Sequence, residues 1–372
     1  MSEKEIIRRI RIYRLPVKLK VPFIISLGKL EFADNVIVVI ESSGGIKGFG
    51  ECSPFQTIHG ENSSTCMSVG KVIGEKLIGE DALDISGCIA RMDATIFGNS
   101  SIKSAFDMAL YDIASQHARM PLYRFLGGSN DKEIFTDYTV SIGPAEKMAD
   151  DAEWIMKAGF PVIKVKLGGT EEEDVLRIQK IRERVGNTIP LRIDANQGWD
   201  VETAIRILNK LHPYNIQHCE EPVSRKKFMS LAEIRQKTLI PIMADESCFD
   251  EFDAERLIAL NSCDLINVKL GKSSGIFKAQ KISTLALHAG IKLQAGGFLE
   301  SRLGFTAIAH LVLSNNQFIH FDFDTPLMFT EDLVTGGIKY LEKGQIKVPD
   351  ENGLGATISE DVLKSNEVSV LE

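Results

Sequence analysis

The segment Val162-Ile163-Lys164-Val165-Lys166-Leu167 decides the fold, because it places two lysines in an otherwise apolar run. In a β-strand, residues two apart point to the same face, so Lys164 and Lys166 are expected to project together from a buried strand. Two buried ammonium groups are costly unless carboxylates pair with them, and a desolvated lysine beside another cation is a weaker base. The chain is therefore expected to supply matching negative charges nearby.

Length and composition favour a soluble enzyme-sized protein that acts on a small molecule. The chain has 372 residues, 44% of them hydrophobic and 25% charged, which suits a barrel of roughly 200 to 250 residues with a smaller partner domain. A net charge of −8 argues against nucleic acid or an anionic membrane surface as a partner. The first eleven residues lack an apolar signal core, and no later run reaches the length of a membrane span. A cytoplasmic location is the prediction.

The cysteines predict neither a disulfide framework nor a nucleophile. Six are scattered through the chain without C-x-x-C spacing, and none has a histidine partner at a recognisable spacing. We therefore expect reduced, mostly buried thiols.

From Ile134 onward, short apolar strands alternate with amphipathic helices, which is typical of βα units and a parallel sheet. The eight predicted strands are 134–142, 162–167, 191–195, 216–220, 240–244, 265–270, 291–295 and 318–323. The seven predicted helices between them are 145–158, 171–185, 201–211, 225–236, 251–260, 274–288 and 301–313. The fold class is α/β, a (β/α)7β modified TIM barrel. An open doubly wound sheet is the alternative, which the lack of a glycine-rich dinucleotide fingerprint disfavours.

Three domains or segments are predicted. Residues 1–128 form an α+β capping domain, with an antiparallel meander followed by three helices, and residues 129–325 form the catalytic barrel. Residues 326–372 contain a hairpin and are expected to pack back on the capping domain and complete it. Residues 20–32 are predicted as a loop between the first two strands that reaches over a neighbouring site.

Charged residues recur at the carboxyl ends of consecutive predicted strands, where active sites of such barrels form. They are Lys164 and Lys166 on the second strand, Asp194 and Asn196 on the third, Glu220 on the fourth, Asp245 and Glu246 on the fifth, Lys269 on the sixth, and Asp322 and Asp324 on the eighth. Any one of these acids, taken singly, is more simply a helix N-cap or a loop charge. One carboxylate from each of three adjacent strands, about 5 Å apart, predicts a charge-compensated site.

Asp194, Glu220 and Asp245 are the predicted metal ligands. They offer hard oxygen atoms with no cysteine or histidine among them, which suits one Mg²⁺ per chain, or Mn²⁺ as a substitute, and disfavours zinc. Asn196 and Glu246 are predicted to support these ligands from behind.

Lys166 and Lys269 are the predicted acid and base, since they lie on opposite sides of the barrel mouth. A carbon acid held between them can lose a proton to one lysine and regain a proton from the other. The metal is expected to hold the substrate carboxylate and neutralise the enediolate. Lys164 is predicted to contribute to substrate binding and to weaken Lys166 as a base toward the range that a general base needs.

At these motifs the chain resembles the enolase superfamily, in its muconate-lactonizing-enzyme subgroup. The motifs are Lys164-Val-Lys166, Asp194-Ala-Asn196, Glu220-Glu-Pro222, Asp245-Glu-Ser247 and Asn267-Val-Lys269, and the predicted two-domain layout spans nearly the whole chain. The resemblance implies the same metal ligands and the same pair of lysines that the strand ends indicate.

The final strand resembles that of the dipeptide epimerases, in which an Asp-x-Asp pair binds the α-ammonium group of the substrate. Asp322 and Asp324 stand two apart on one face, which suits a cation and repels a dicarboxylate such as muconate. Helix capping or solvent exposure is the alternative for these two acids, and it is weaker because the pair completes a rim of charged strand ends. On this resemblance, the carboxylate of a dipeptide binds the metal, and the α-carbon of its second residue lies between the lysines.

Gly28 and several aromatic residues bear on which dipeptide is the substrate. Relatives that epimerise Ala-Glu are expected to carry a basic residue in a loop of the N-terminal domain, where this chain has Gly28. Phe298 is expected to line the site with Phe23, Ile25 and Phe55, although core packing is the alternative for these aromatic residues. A small or apolar dipeptide such as Ala-Ala, from cell-wall peptide, is therefore predicted, with L-Ala-D/L-Glu as the alternative substrate.

Three other readings stay open. Other reactions of the subgroup are muconate cycloisomerisation, o-succinylbenzoate synthesis and N-acyl amino acid racemisation, and the Asp322 and Asp324 pair argues against them. A metal-binding sensor without catalysis has no need of two buried bases, and a pyridoxal-phosphate racemase has no need of three clustered carboxylates. The sequence is compatible with a homo-oligomer but identifies no interface.

Overall fold

The computed structural model describes residues 4–366 and 368–372. The first three residues of the predicted capping domain, and Glu367 of the predicted C-terminal segment, lie outside the described residues. The chain opens with a long antiparallel meander, whose strands are β1 (Ile7–Ile25), β2 (Gly28–Ser42) and β3 (Lys47–Cys52).

The prediction of a loop over residues 20–32 is wrong, because β1 and β2 continue as a hairpin until Ile25 pairs with Gly28. The register shifts between Lys18 and Phe23, which accommodates Pro22 within the ladder. Gly28 has a φ of 141°, which an L side chain rarely adopts, so a glycine suits this end of the turn. The hairpin tip reaches the barrel mouth, as the loop was expected to do.

The short helix α1 (Gln56–His59) follows the meander. Helices α2 (Ser63–Leu77) and α4 (Ser100–His117) pack on the sheet, and α3 (Ile85–Thr95) packs on both of these helices. Helix α5 (Leu122–Phe125) packs on α4. Helix α4 is buried along most of its length. It lies directly on β3, because Gly48 and Gly50 have no side chain that would separate the strand from the helix. A Cβ atom at Gly50 would stand 1.9 Å from the carbonyl oxygen of Ala105.

Eight short parallel strands form the barrel sheet, with one α-helix between each successive pair. After β4 (Ile134–Phe135), these strands are β5 (Tyr138–Val140), β6 (Ile163–Lys166), β7 (Leu191–Asp194), β8 (Ile216–Glu220), β9 (Ile242–Ala244), β10 (Leu265–Val268), β11 (Lys292–Ala295) and β12 (Phe318–Phe321). The helices are α6 (Ala145–Lys157), α7 (Glu171–Val185), α8 (Val201–Leu211), α9 (Leu231–Lys237), α10 (Glu251–Ala259), α11 (Ile276–Ala289) and α12 (Arg302–Leu313). The strands lie side by side in chain order from β5 to β12.

The two edges of this curled sheet meet through single hydrogen bonds. The backbone N–H of Asp137 donates to the carbonyl of Phe321 at 3.2 Å. The N–H of Thr139 donates to Asp324 Oδ2 at 2.7 Å. Asp324, which follows the last strand of the sheet, is thereby attached to the first strand.

Two predicted elements differ from the structure. The helix over 225–236 begins as a 3-10 segment, Arg225–Ser230, because Lys227 departs from helical geometry with φ −105° and ψ 25°. Helix α9 then starts at Leu231. The predicted strand 134–142 is split, because Thr136 N turns away from the barrel to donate to the carbonyl of Gly344.

The C-terminal segment adds strands to both parts of the molecule. Its elements are β13 (Val334–Gly336), β14 (Lys339–Tyr340), β15 (Gln345–Lys347), β16 (Ala356–Ile358), α13 (Glu360–Lys364) and β17 (Val368–Leu371). Strand β15 pairs with β4, and β17 pairs with β1 to complete the first sheet in the order β17-β1-β2-β3. Across the described residues, no helix has both the length and the apolar character that crossing a membrane requires.

Candidate active site

The carboxyl ends of β6 to β10 bring the predicted lysines and carboxylates together. Lys166 pairs in register with Asp194, and Asp194 pairs with Glu220. Asp245 directly follows β9 and Lys269 directly follows β10. All five side chains are buried.

Lys164 lies deepest in this group and connects three carboxylates. Its Nζ atom is 2.8 Å from Glu220 Oε2, 3.3 Å from Asp194 Oδ2 and 2.6 Å from Asp322 Oδ2. Only 1% of the residue is exposed. Lys164 therefore supplies the charge compensation that a buried acidic cluster requires.

Lys166 and Lys269 stand on opposite sides of the same group. Lys166 Nζ lies 2.6 Å from Asp194 Oδ2. Lys269 Nζ lies 2.7 Å from Asp245 Oδ2 and 3.9 Å from Glu220 Oε1. Each of the three predicted metal ligands is thus paired with at least one ammonium group.

These ion pairs oppose the effect of burial on both partners. Burial alone would lower the pKa of Lys164 and of Lys269, but the neighbouring carboxylates raise the pKa of each above its ordinary value. Burial alone would raise the pKa of Glu220, but Lys164 and Lys269 hold this pKa well below its ordinary value. The carboxylate of Glu220 is therefore ionised and available as a ligand.

Asn196 contacts both Asp194 and Glu246. The N–H of Asn196 donates to Asp194 Oδ1 at 2.8 Å, and its side-chain amide donates to Glu246 Oε1 at 3.3 Å. Glu221 points away from the site and accepts from the N–H of Asp245 at 2.7 Å. Burial and the nearby charge of Asp245 raise the pKa of Glu246 well above its ordinary value.

Sequence reasoning missed two charged residues of the site. Lys272 Nζ lies 2.6 Å from Asp245 Oδ1, one turn after Lys269 in the chain. Asp137 accepts from Arg192 NH1 at 2.7 Å beneath the site. An isolated acid within the predicted strand 134–142 was the available signal for Asp137.

The donor set fits a hard divalent cation such as Mg²⁺. Asp194, Glu220 and Asp245 are carboxylates from neighbouring strands, and the side-chain amides of Asn267 and Gln294 orient the carboxylate of Glu220 at 2.8 Å and 3.2 Å. The amide oxygen atoms of Asn267 and Gln294 are buried acceptors without a hydrogen-bond donor, which suits a site that receives positive charge.

A second acidic group lies beside these predicted ligands. Across residues 4–366 and 368–372, the one group of three side chains whose ligand atoms all lie within 4.8 Å of one another is Asp137, Asp322 and Asp324. Two of its three members are paired with cations, Asp137 with Arg192 and Asp322 with Lys164. The predicted ligands Asp194, Glu220 and Asp245 are more widely spread than this group.

Asp322 and Asp324 differ in electrostatic state although both are buried. Burial opposes ionisation of Asp322, but Lys164 lowers its pKa below the ordinary value. Burial and the charge of Asp322 raise the pKa of Asp324 to about 7. Of these two acids, Asp324 is therefore the one whose charge changes near neutral pH.

One cavity is lined by six of the twelve predicted site residues. It is lined by Phe23, Ile25, Phe55, Ile58, Thr139, Lys166, Asn196, Lys269, Gly297, Phe298, Leu299, Asp322, Asp324 and Thr325. Lys166 Nζ lies 5.7 Å from the ring centroid of Phe23, and Lys269 Nζ lies 4.9 Å from that of Phe298. Two amines thus face one cavity from opposite walls, each against an aromatic ring.

Two predicted substrate-binding residues do not line this cavity. Lys164 lies beneath it, among the carboxylates. Gly28 lies in an adjoining groove at the hairpin tip, which shares Phe55 and Leu299 with the cavity. Their roles toward substrate stay predictions.

Comparison with known proteins identifies the family. The chain matches the N-terminal domain of mandelate racemase / muconate lactonizing enzyme over residues 7–127 and the enolase C-terminal domain-like family over residues 147–362. It is 58% identical to a D-Ala-D/L-Ala epimerase of Cytophaga hutchinsonii, over 97% of this chain and 98% of that protein. It is 38% identical to the L-Ala-D/L-Glu epimerase of Bacillus subtilis, over 93% and 95% of the two chains.

A solved structure gives the same result. The dipeptide epimerase from Cytophaga hutchinsonii, complexed with Mg and the dipeptide D-Ala-L-Val, superimposes with a TM-score of 0.98 at 57% identity, covering 99% of this chain and 100% of that one. The predicted fold class and the resemblance inferred from the motifs are confirmed. The chain therefore belongs to the enolase superfamily, within the family of mandelate racemase and muconate lactonizing enzyme.

Proposed function

We propose that this protein is a Mg²⁺-dependent dipeptide epimerase that inverts the α-carbon of the second residue of its substrate. The observation that carries the proposal is the placement of Lys166 and Lys269 on opposite walls of one cavity whose rim holds Asp322 and Asp324. Two relatives that match over nearly the whole chain are epimerases of dipeptides, and the protein is an isomerase.

Asp194, Glu220 and Asp245 are the proposed ligands of one Mg²⁺, with Mn²⁺ as a substitute. When bound, Mg²⁺ supplies positive charge that holds the substrate carboxylate and replaces the lysines as the partner of these acids. Asn196 and Glu246 keep the carboxylate of Asp194 in place through the contacts described above.

The proposed proton transfer uses both lysines. The neutral amine of one lysine accepts the α-proton, so an N–H bond forms as the C–H bond breaks, and the electron pair is delocalised into the substrate carboxylate. The ammonium group of the opposite lysine donates a proton to the other face of the α-carbon. The number of protons on the enzyme is unchanged after one turnover, but the configuration is inverted.

Asp322 and Asp324 are proposed to bind the α-ammonium group of the dipeptide. Both line the cavity, and each has an oxygen near which a cation gains a charge-assisted hydrogen bond. Lys164 holds Asp322 at 2.6 Å and thereby fixes the distance between the ammonium site and the carboxylate cluster.

A small or apolar second residue is proposed for the substrate. The cavity wall is built from Phe23, Ile25, Phe55, Ile58, Phe298 and Leu299. Among the described residues that line it, the only cations are Lys166 and Lys269, which leaves no separate partner for a glutamate side chain. Ala-Ala fits this wall better than Ala-Glu, and the names of the Cytophaga hutchinsonii relatives, D-Ala-D/L-Ala epimerase and a complex with D-Ala-L-Val, support the same class.

A panel of dipeptides in D₂O tests the proposal. Protein with Mg²⁺ is incubated with Ala-Ala, Ala-Val, Ala-Glu and an N-acyl amino acid, and deuterium at each α-carbon is read by mass spectrometry and NMR. We expect exchange and inversion only at the second residue, and fastest with Ala-Ala or Ala-Val. Turnover of the N-acyl amino acid without exchange in any dipeptide would contradict the proposal.

The domain boundaries at residues 128 and 325 and the cytoplasmic location stay proposals, together with assembly into a homo-oligomer. The location is supported by six free, buried cysteines among the described residues, because exposure to an oxidising compartment favours disulfides. Cell fractionation tests the location, and light scattering tests the oligomeric state.

A further inference from the structure

Residues 54–60 form a loop that contains the short helix α1 and carries Phe55 and Ile58 to the cavity. One arginine fastens this loop to the barrel. Arg225, which follows β8, donates from NH1 to the carbonyl of Ile58 at 2.7 Å. Within the part of the chain that the structure describes, this is the only hydrogen bond between residues 54–60 and the barrel. The guanidinium carbon also lies 5.4 Å from the ring centroid of Phe249, which limits its movement.

Arg225 is itself held by the turn that follows β7. Its backbone N–H donates to Gln197 Oε1 at 3.0 Å. Asn196 and Gln197 both have positive φ, 40° and 69°, so this turn has a defined and unusual shape. The carbonyl of Asn196 accepts from Ser26 Oγ at 2.7 Å, so the same turn also holds the hairpin tip.

The fastened loop contacts the aromatic ring beside one of the proposed bases. The N–H of Phe55 donates to His59 Nδ1 at 2.9 Å, which fixes the imidazole ring. That ring meets Phe298 edge-on, with centroids 4.4 Å apart and planes at 71°. Phe298 in turn lies 4.9 Å from Lys269 Nζ. The loop therefore shapes both the apolar wall and the surroundings of Lys269.

We propose that Arg225 is a positioning residue that holds residues 54–60 closed over the bound substrate, with Gln197 orienting its backbone. The inference rests on the proposed function, since the loop presents Phe55 and Ile58 to the apolar second residue of the dipeptide. A fastened loop contributes to substrate binding by keeping this wall in place and excluding water. Without the hydrogen bond, closing the loop draws on the binding free energy of the substrate, so KM rises while kcat changes little.

Arg225→Met tests this proposal because it keeps the length of the side chain and removes the donors. We expect KM for Ala-Val to rise about 10-fold with kcat within about 2-fold, as the loss of one charge-assisted hydrogen bond predicts. Arg225→Lys, which keeps a donor, should recover most of the wild-type KM. Arg256→Met is the matched control, because Arg256 also lies over a ring, that of Phe228 at 5.8 Å, but bonds to Asp253 and not to the loop.

Amide hydrogen exchange, measured without substrate, gives a second readout. The N–H groups of Phe55, Ile58, His59 and Gly60 are hydrogen-bonded within the loop. Their exchange should be about 10-fold faster in Arg225→Met than in wild type, while barrel strands keep their rates.

The two readouts separate failure of this inference from failure of the proposed function. If wild type epimerises dipeptides but KM and loop exchange are unchanged in Arg225→Met, the inference is overturned. If wild type epimerises no dipeptide, the proposed function fails, and exchange in the loop still decides whether Arg225 fastens it. Should Arg225→Met unfold, Gln197→Leu replaces it, and an unchanged KM in that variant also overturns the inference.

Discussion

The substitution Asp324→Asn isolates the charge that we assign to recognition of the substrate ammonium group. Asp324 Oδ2 accepts from the N–H of Thr139 at 2.7 Å, and an asparagine can accept the same bond with nearly the same shape. The change therefore removes one negative charge from the cavity and leaves the contact to the first barrel strand in place. A hydrogen bond to a charged group contributes about 1.5 to 3 kcal/mol, and each 1.4 kcal/mol is a factor of ten. We expect kcat/KM for Ala-Ala to fall by about 10- to 100-fold.

Asp324→Asn is also expected to change how kcat/KM depends on pH. Burial raises the pKa of Asp324 to about 7, so its carboxylate is ionised above that pH and protonated below it. If ionised Asp324 binds the substrate, wild-type kcat/KM falls as pH decreases through about 7. Above pH about 8 it falls again, because the α-ammonium group of the substrate loses its proton. In Asp324→Asn the acidic limb should disappear and the alkaline limb should remain.

Initial rates of epimerisation, followed by polarimetry from pH 5.5 to 9, measure both effects. Asp332→Asn is the control, because Asp332 is an exposed acid paired with Arg302 at 2.6 Å away from the cavity. N-acetyl-Ala-Ala, which has no ammonium group, should be a poor substrate for wild type. A variant that keeps kcat/KM within 2-fold of wild type, or an acidic limb that persists in it, would refute the role of Asp324.

Three further predictions test the remaining parts of the site. Lys166→Ala and Lys269→Ala should each abolish epimerisation, but each variant should retain deuterium exchange from one stereoisomer in D₂O. Full epimerisation by both variants would contradict the two-base mechanism. Removing divalent cations with EDTA should abolish activity, and Mg²⁺ or Mn²⁺ should restore it. In urea unfolding, Mg²⁺ at 100 times its Kd should raise the free energy of unfolding by about 2.7 kcal/mol. Lys164→Met should lower the free energy of unfolding by about 3 to 5 kcal/mol, because it leaves buried carboxylates without their common partner. Lys166→Met should lower the free energy of unfolding by less, because Asp194 still has Lys164 at 3.3 Å.

The barrel could be predicted from the sequence because its signals are local. Each strand is a short apolar run, each helix is amphipathic, and their strict alternation leaves few topologies. The gathering of the site residues also follows from local information, since parallel strands in register place their last residues in a row. Lys166, Asp194 and Glu220 lie side by side for this reason.

The parts that could not be predicted depend on contacts between distant segments. The β1–β2 hairpin continues past Pro22 because the register shifts between Lys18 and Phe23. A proline in the sequence indicates the end of a strand, so this continuation could not be predicted. The bond from Arg225 to Ile58 joins residues 167 apart in the chain, and neither residue belongs to a motif. Lys272 was missed because a lysine just after a strand is most simply a solvent-exposed charge, whereas here it is buried against Asp245.

The two lysines of the first barrel motif have different surroundings because they lie at different depths. Residues two apart on a strand are separated by roughly 6.6 Å along it, so Lys166 reaches the cavity and Lys164 stays below it. Lys164 is surrounded by Asp194, Glu220 and Asp322, which hold it as an ammonium ion beneath the cavity. Lys166 pairs with the carboxylate of Asp194, lies against the ring of Phe23 and lines the cavity. The two-residue spacing thus separates Lys166, the proposed proton-transfer group, from Lys164, the cation that pairs with the buried carboxylates.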